Sequence, residues 1–439
     1  MLAIRKHLWI AALLFAPPVE SQDLTNLGGD LTSDSPLSIA LELPAPNVDS
    51  QELIELHLEA HGDFHRSFEA DRVGRKLSLG PSFNHRSCGG CHIRNGKGAI
   101  KFSTRPPGSP LLVKVALRGL NKNGAPKDVP GVGEQLQDHL VSGKSQFDIR
   151  LRYSAVGGSY PDGTKYTLRR PQLTFDIPGI DEKNVVTSLR MTPTVIGMGL
   201  LEGVPDATLL AMADPSDADG DGISGEVNYV PDRETKTMAI GRFGFRASHP
   251  TVKQQSAAAF FHDMGLTNEL FQKRRTPQEI SPELLAKVQF YLQAAGVTPA
   301  RDQTDPDVIA GKALFQQVNC SGCHTMTLST GVTSVAATTN QVFHPFTDLL
   351  LHDMGPGLAD GRAEFSASGR EWRTTPLWGI GLTDVLAPRV KPGFLHDGRA
   401  RSIEEAILWH GGEATASRDA FKALPQAQRD QLIRFLRSL

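Results

Sequence analysis

Cysteine is scarce in this chain, four residues among 439, which excludes a scaffold stapled by several disulfides. Charge of one sign is lacking too. The 46 basic and 48 acidic residues leave a formal net charge of -2, so neither a nucleic acid nor an anionic membrane surface is offered a basic face. Beyond the opening segment there is no apolar run approaching the roughly 20 residues of a spanning helix, and an integral membrane protein is not expected. The opening segment, 1–21, carries Arg5 and Lys6, then an apolar stretch from Leu8 to Ala16, then Pro17 and Pro18. It reads as a secretory signal, because the apolar stretch is too short for an anchor. Residues 22–50, rich in Gly, Pro, Ser and Asp, read as an extended arm.

The scarce cysteines are all used in one way. They fall in Cys88-Gly89-Gly90-Cys91-His92 and Cys320-Ser321-Gly322-Cys323-His324. In C-x-x-C-H the two thiols can form thioethers to the haem vinyl groups, and the adjacent imidazole ligates the iron from one face. One zinc shared by both pairs is the other reading, but it leaves both histidines without a task. Two covalently held c-type haems are therefore expected, with His92 and His324 as iron ligands. Covalent haem attachment in bacteria takes place outside the cytoplasm, which agrees with the signal and points to the periplasm.

Other phrases recur. Met191-Thr192-Pro193 leads to Gly197-Met198-Gly199-Leu200, and Thr375-Pro376 leads to Gly379-Ile380-Gly381-Leu382. Phe261-His262-Asp263-Met264-Gly265 returns as Leu351-His352-Asp353-Met354-Gly355. Repetition around repeated haem motifs predicts two related units. The expected fold is mainly α with small β insertions, built as two cytochrome-c-like haem domains at 51–299 and 300–439. Helices are expected over 52–68, 282–292 (capped by Ser281), from Pro306 nearly to Cys320, from Ser402 to His410, and over 425–436. Residues 111–120 and 146–156 alternate as strands, a short helix is expected over 133–141, and 158–190 reads as hairpin and loop.

Asp217, Asp219 and Asp221, with Gly222 at the sixth position, have the opening rhythm of a calcium loop. Its twelfth position holds Asn228 where a glutamate is expected, and an acidic surface turn is the alternative. The second ligand of the His324 haem lies among Met354, His352, His344, His396 and His410 on residue chemistry alone.

Several longer stretches carry a resemblance. Gly80 to Asn84, Gly96 to Gly98, Arg190 to Glu202, Gly241 to Arg246, Asp348 to Gly361 and above all Phe394 to Ala414 resemble the bacterial di-haem cytochrome c peroxidase superfamily. Within it, the chain is similar to the di-haem oxidoreductase branch also called thiol-oxidoreductase-like. The resemblance implies that His410 closes the second haem, where classical peroxidases place a methionine. It implies a peroxidatic first haem, with Glu202, Gln254 and Gln255 as proton-handling residues and His249 and His262 as the nearest prospects for a distal histidine. It also implies propionate partners at Arg246 and Arg399, a calcium, and electrons from a redox partner protein or a quinol-linked donor. The function it implies is reduction of hydrogen peroxide, or its use to oxidise a partner. The alternative is an electron-transfer protein with both haems six-coordinate and no peroxidase activity.

Overall fold

The computed structural model describes residues 24–35, 41–69, 79–103, 108–143, 147–386 and 391–439. The expected signal at 1–21 and parts of the expected arm lie outside these.

The mainly α expectation is corrected. Helix takes about a third of the chain and strand about a fifth, in several small sheets. Strand Leu111–Leu120 is the centre of the largest sheet, with Val185–Met191 antiparallel beside it from Leu111↔Met191 to Leu117↔Val185. Its inward residues Leu111, Val113 and Val115 are buried, as a half-covered pleated strand requires. A second antiparallel pair, Arg150–Ser159 with Lys165–Thr174, forms a long hairpin. Its tip reaches the C-terminal helices: the Tyr160 hydroxyl donates to Glu404 at 2.6 Å, and Arg429 lies 3.9 Å over the Tyr160 ring.

The helix expected over 133–141 is not formed. Gly131 and Gly133 have φ of +77° and +86°, outside helical space, and the segment folds as the short strands Gln135–Leu136 and His139–Leu140. The other helices stand where their caps place them. Ser50 Oγ accepts from Leu53 N, Ser281 Oγ from Leu284 N, and the Asp305 carboxylate from Asp307 N. Helix Gln51–His65 packs on Pro282–Ala294, and Pro306–Gln317 on Gln426–Ser438. Gly311 lets the second pair touch, since a Cβ there would meet the Gln431 carbonyl and Phe435. One continuous buried cluster runs from Leu24 to Leu439, and a smaller one lies against the central sheet.

Candidate cofactor sites

Helix Pro306–Gln317 delivers the chain, through Asn319 in a left-handed conformation, to the turn Cys320–Gly322. His324 follows, and its Nδ1 donates to the Phe346 carbonyl at 2.9 Å. From the C-terminal side, helix Ile403–Trp409, capped by Ser402 Oγ, ends at His410, whose Nδ1 donates to the Ala406 carbonyl at 2.7 Å. Both imidazoles line one cleft with Cys320 and Cys323. Burial pushes His324 down to about 4 and lowers His410, so both are neutral at pH 7. A neutral imidazole with its Nδ1–H tied to a carbonyl presents Nε2 as a lone pair, which is how protein holds a histidine for a metal.

The other candidates around this cleft are differently engaged. His352 has Nε2 at 2.8 Å from Asp348 and Nδ1 at 2.7 Å from Glu413. Burial would lower it, but Asp348, Cys323 and Glu413 push it up to about 12, so it is an imidazolium with no lone pair to give. His396 lines the cleft but stacks on Trp372 at 3.6 Å between ring centroids. Met354 also lines the cleft, whereas His344 pairs with Thr327 at 3.0 Å. Trp378 is buried between the cleft and Gly197, four residues after Pro193.

The first C-x-x-C-H turn is a one-turn helix, Cys88–Cys91, capped by Ser87 Oγ. His92 Nδ1 donates to the Pro193 carbonyl at 2.8 Å, and burial pushes His92 down to about 4. Thus the repeated Thr-Pro phrase supplies the carbonyl that orients the first histidine. Beside Cys91 stand Thr192 and Asp263, and Asp263 accepts from Gln135 Nε2 at 2.8 Å. Lys114 interacts with Asp263, and His262 and His249 lie within reach of Lys114. Burial lowers Lys114, pushes His249 to about 3 and takes His262 well below its ordinary value, so both histidines are neutral. Among the described residues the two cysteine pairs do not converge on one metal-sized group.

The remaining residues singled out in the sequence have these places. Glu202 accepts from Val252 N at 2.7 Å and from Gln293, and so caps helix Val252–Met264. Gln254 bridges Arg233 N and the Pro231 carbonyl at 2.8 and 3.0 Å. The Gln255 amide oxygen is buried without a hydrogen-bond partner. Arg246 is spent on Asp360 at 2.7 Å and on the Ser368 and Glu371 carbonyls, and Arg399 on Asp397 at 2.8 Å and the Gly357 carbonyl at 2.6 Å.

In the acidic loop, Asp217 accepts from Gly222 N, Asp219 from Asp221 N and Asp221 from Ile223 N. Asp217 and Asp219 gather with Asp214, whereas Asn228 turns away to the Arg246 and Glu364 carbonyls. Sequence reading missed Arg373, whose half-buried side chain lines the cleft and, among the described residues, hydrogen-bonds the Gly244 and Thr374 carbonyls. Burial pulls it down to about 10. The available signal was its place in the repeat, since Arg190 and Arg373 begin the two Arg-x-Thr-Pro phrases.

Comparison with known families decides the class. The model of the family described as "Di-haem oxidoreductase, putative peroxidase" matches residues 23–105, 113–279 and 273–439. The chain belongs to this di-haem oxidoreductase family. No curated protein matches it. Among solved structures, hydrazine synthase of Kuenenia stuttgartiensis, pressurised with xenon, aligns over 100% of both chains at 12% identity with a TM-score of 0.40, too low a score to carry an argument. As a di-haem oxidoreductase the protein uses haem and exchanges electrons with a redox partner. None of its described helices is long and apolar enough to cross a membrane.

Proposed function

We propose that this di-haem oxidoreductase is a periplasmic enzyme that reduces hydrogen peroxide, or uses it to oxidise a partner, with two covalently held c-type haems of unequal coordination. The first haem would be held by Cys88 and Cys91 with His92 as an iron ligand, in a unit spanning 51–299. The second would be held by Cys320 and Cys323 with His324 and His410 as its iron ligands, in a unit spanning 300–439. The observation that carries this reading is the pair His324 and His410, two neutral imidazoles tied through Nδ1 to carbonyls and lining the same cleft as both thiols. The residues fit the group: apolar walls from Phe315, Trp378 and Leu436 suit a macrocycle, and Arg373 offers a cation on the cleft wall to a propionate. Arg246 and Arg399, with their internal carboxylate partners, are better read as framework than as propionate partners.

Haem iron supplies one-electron chemistry to both sites. The chain's own part is to distinguish them. His410 closes the second site, leaving it to carry electrons from a redox protein or quinol-linked donor. Reduction of peroxide to water consumes two electrons and two protons. At the first site His249 and His262 are the imidazoles near Lys114, which interacts with Asp263 beside Cys91, and they would relay those protons once a bound anion offsets the burial that now keeps them neutral. Glu202 and Gln254 act by fixing the start of the helix that bears His262, and Gln255 extends from the same turn. Trp378 stands where it can couple the two sites. A calcium at Asp214, Asp217 and Asp219, with Asp221 beside them, would need further oxygens from water or backbone to reach six to eight ligands.

Electron paramagnetic resonance of the oxidised holoprotein, before and after one equivalent of hydrogen peroxide, tests the proposal. The expected result is one low-spin signal that persists and one high-spin signal that peroxide abolishes, directly or after one-electron reduction. Two low-spin signals indifferent to peroxide in both redox states would make the protein an electron carrier.

A further inference from the structure

Behind the first cysteine turn lies a second group of ligand-type side chains, separate from the C-x-x-C-H residues. Helix Gln51–His65 carries His57, His61 and His65 at successive intervals of four, so the three share one face. Glu42 approaches that face from the preceding segment. Its carboxylate Oε1 lies 3.0 Å from His65 Nε2 and 4.0 Å from His61 Nε2, and the two imidazole centroids are 4.4 Å apart. One ligand atom from each of the three side chains falls within 4.8 Å of the others. Ligands at about 2.05 Å from a tetrahedral zinc stand about 3.3 Å apart, and the observed 3.0 and 4.0 Å bracket that value.

We propose that Glu42, His61 and His65 form a three-ligand site for a divalent transition cation of the zinc class, beside the first haem attachment turn. His65 Nε2 is a buried atom with no hydrogen-bond partner, although the Glu42 carboxylate is 3.0 Å away, so the two are juxtaposed without being aligned for a proton. A cation between them satisfies both lone pairs. The backbone that presents the carboxylate is itself held. His57 Nε2 donates to the Glu42 carbonyl at 3.1 Å, and Asn95 Nδ2 donates to the neighbouring Leu41 carbonyl at 2.6 Å. These bonds fix the segment from which Glu42 reaches the helix face.

Gly89 leaves the space for His65, whose ring a Cβ at that position would overlap. The histidine side chains are about one-third exposed, 36% and 30%, which gives an ion an entry path and leaves the fourth position to water. Two imidazoles and one carboxylate are a borderline ligand set that suits zinc over the hard cations magnesium and calcium. Such an ion would pin the 41–50 segment to the helix that packs behind the haem turn. The proposal does not depend on peroxide chemistry.

The test is zinc binding by the full-length, chelator-stripped holoprotein, read by elemental analysis after equilibrium dialysis against Zn²⁺. The native chain is expected to retain one zinc. His65→Ala and Glu42→Gln are expected to weaken retention by more than the ~10- to 100-fold that loss of a supporting residue costs. Asp217→Asn/Asp219→Asn is expected to retain zinc as the native chain does, which separates this site from the acidic loop. The haem absorption and melting of each variant without zinc show whether it is folded; if His65→Ala does not fold, Glu42→Gln alone decides. A native chain that retains no zinc, or folded variants that retain as much as the native chain, would overturn the proposal.

Discussion

His410→Met is expected to raise the midpoint potential of one haem by on the order of 0.1 V and leave the other nearly unmoved, as read by spectroelectrochemical titration. Axial ligands tune haem over a span of ~0.8 V, and a thioether favours the reduced iron more than an imidazole does. The site can accept the change. His410 closes a helix end, held by its Nδ1 bond to Ala406, and Arg418 donates to its carbonyl at 2.9 Å, so the backbone position does not depend on the imidazole alone. Met354 lines the same cleft, and His410→Ala offers it a route to the iron. A low-spin spectrum regained in His410→Ala would point to that substitution of ligand. If neither variant moves either potential, His410 is not a ligand.

Glu364→Gln is expected to destabilise the fold by about 3–5 kcal/mol, the usual consequence of leaving buried charge without its partner. Glu364 lies beneath the central sheet and accepts from Arg190 at 2.7 Å, from Arg362 and from Ser248. Arg362 is almost fully buried and Arg246 lies close by. Burial alone would raise the Glu364 carboxyl, but Arg362, then Arg190 and Arg246, hold it well below its ordinary 4.5. A carboxyl depressed in the folded state contributes stability that is complete above 4.5 and disappears as the pH falls through the folded value. The gap between native and variant proteins in urea melts should therefore be constant from pH 7 to about 5 and narrow only in stronger acid. A variant as stable as the native protein at pH 7 would show that the arginines find other partners.

These two residues mark what was legible in the sequence and what was not. Each C-x-x-C-H is five consecutive residues, so its chemistry can be read without a fold. Ser281 and Asp305 likewise announce their helices through contacts two or three residues away. The Nδ1 partners of His92 and His324 are carbonyls of Pro193 and Phe346, distant in sequence and of no distinctive type, and only the fold selects them. His410 could be ranked above Met354 or His352 only through resemblance, because nothing local tells which histidine has two carboxylates beside it.

The β content was underestimated for a related reason. Lys165–Thr174 is polar along most of its length, with one face exposed and the other only partly covered, so the apolar alternation that signals a strand is weak; its partner Arg150–Ser159 holds it through the hairpin ladder. Arg246 and Arg399 were visible as cations, but the choice between a cofactor and Asp360 or Asp397 belongs to the packed structure. Asn228 fell at the twelfth position of the acidic loop in sequence, where a glutamate is expected, and belongs to the Arg246 network in space.

The intact mass of the mature protein, measured after denaturation and organic extraction from cells competent in c-type haem maturation, tests the central claim most directly. The account predicts the polypeptide plus two haems, falling to one haem in Cys88→Ala/Cys91→Ala and to one in Cys320→Ala/Cys323→Ala. A native mass equal to the bare polypeptide, or unchanged by either double substitution, would contradict it.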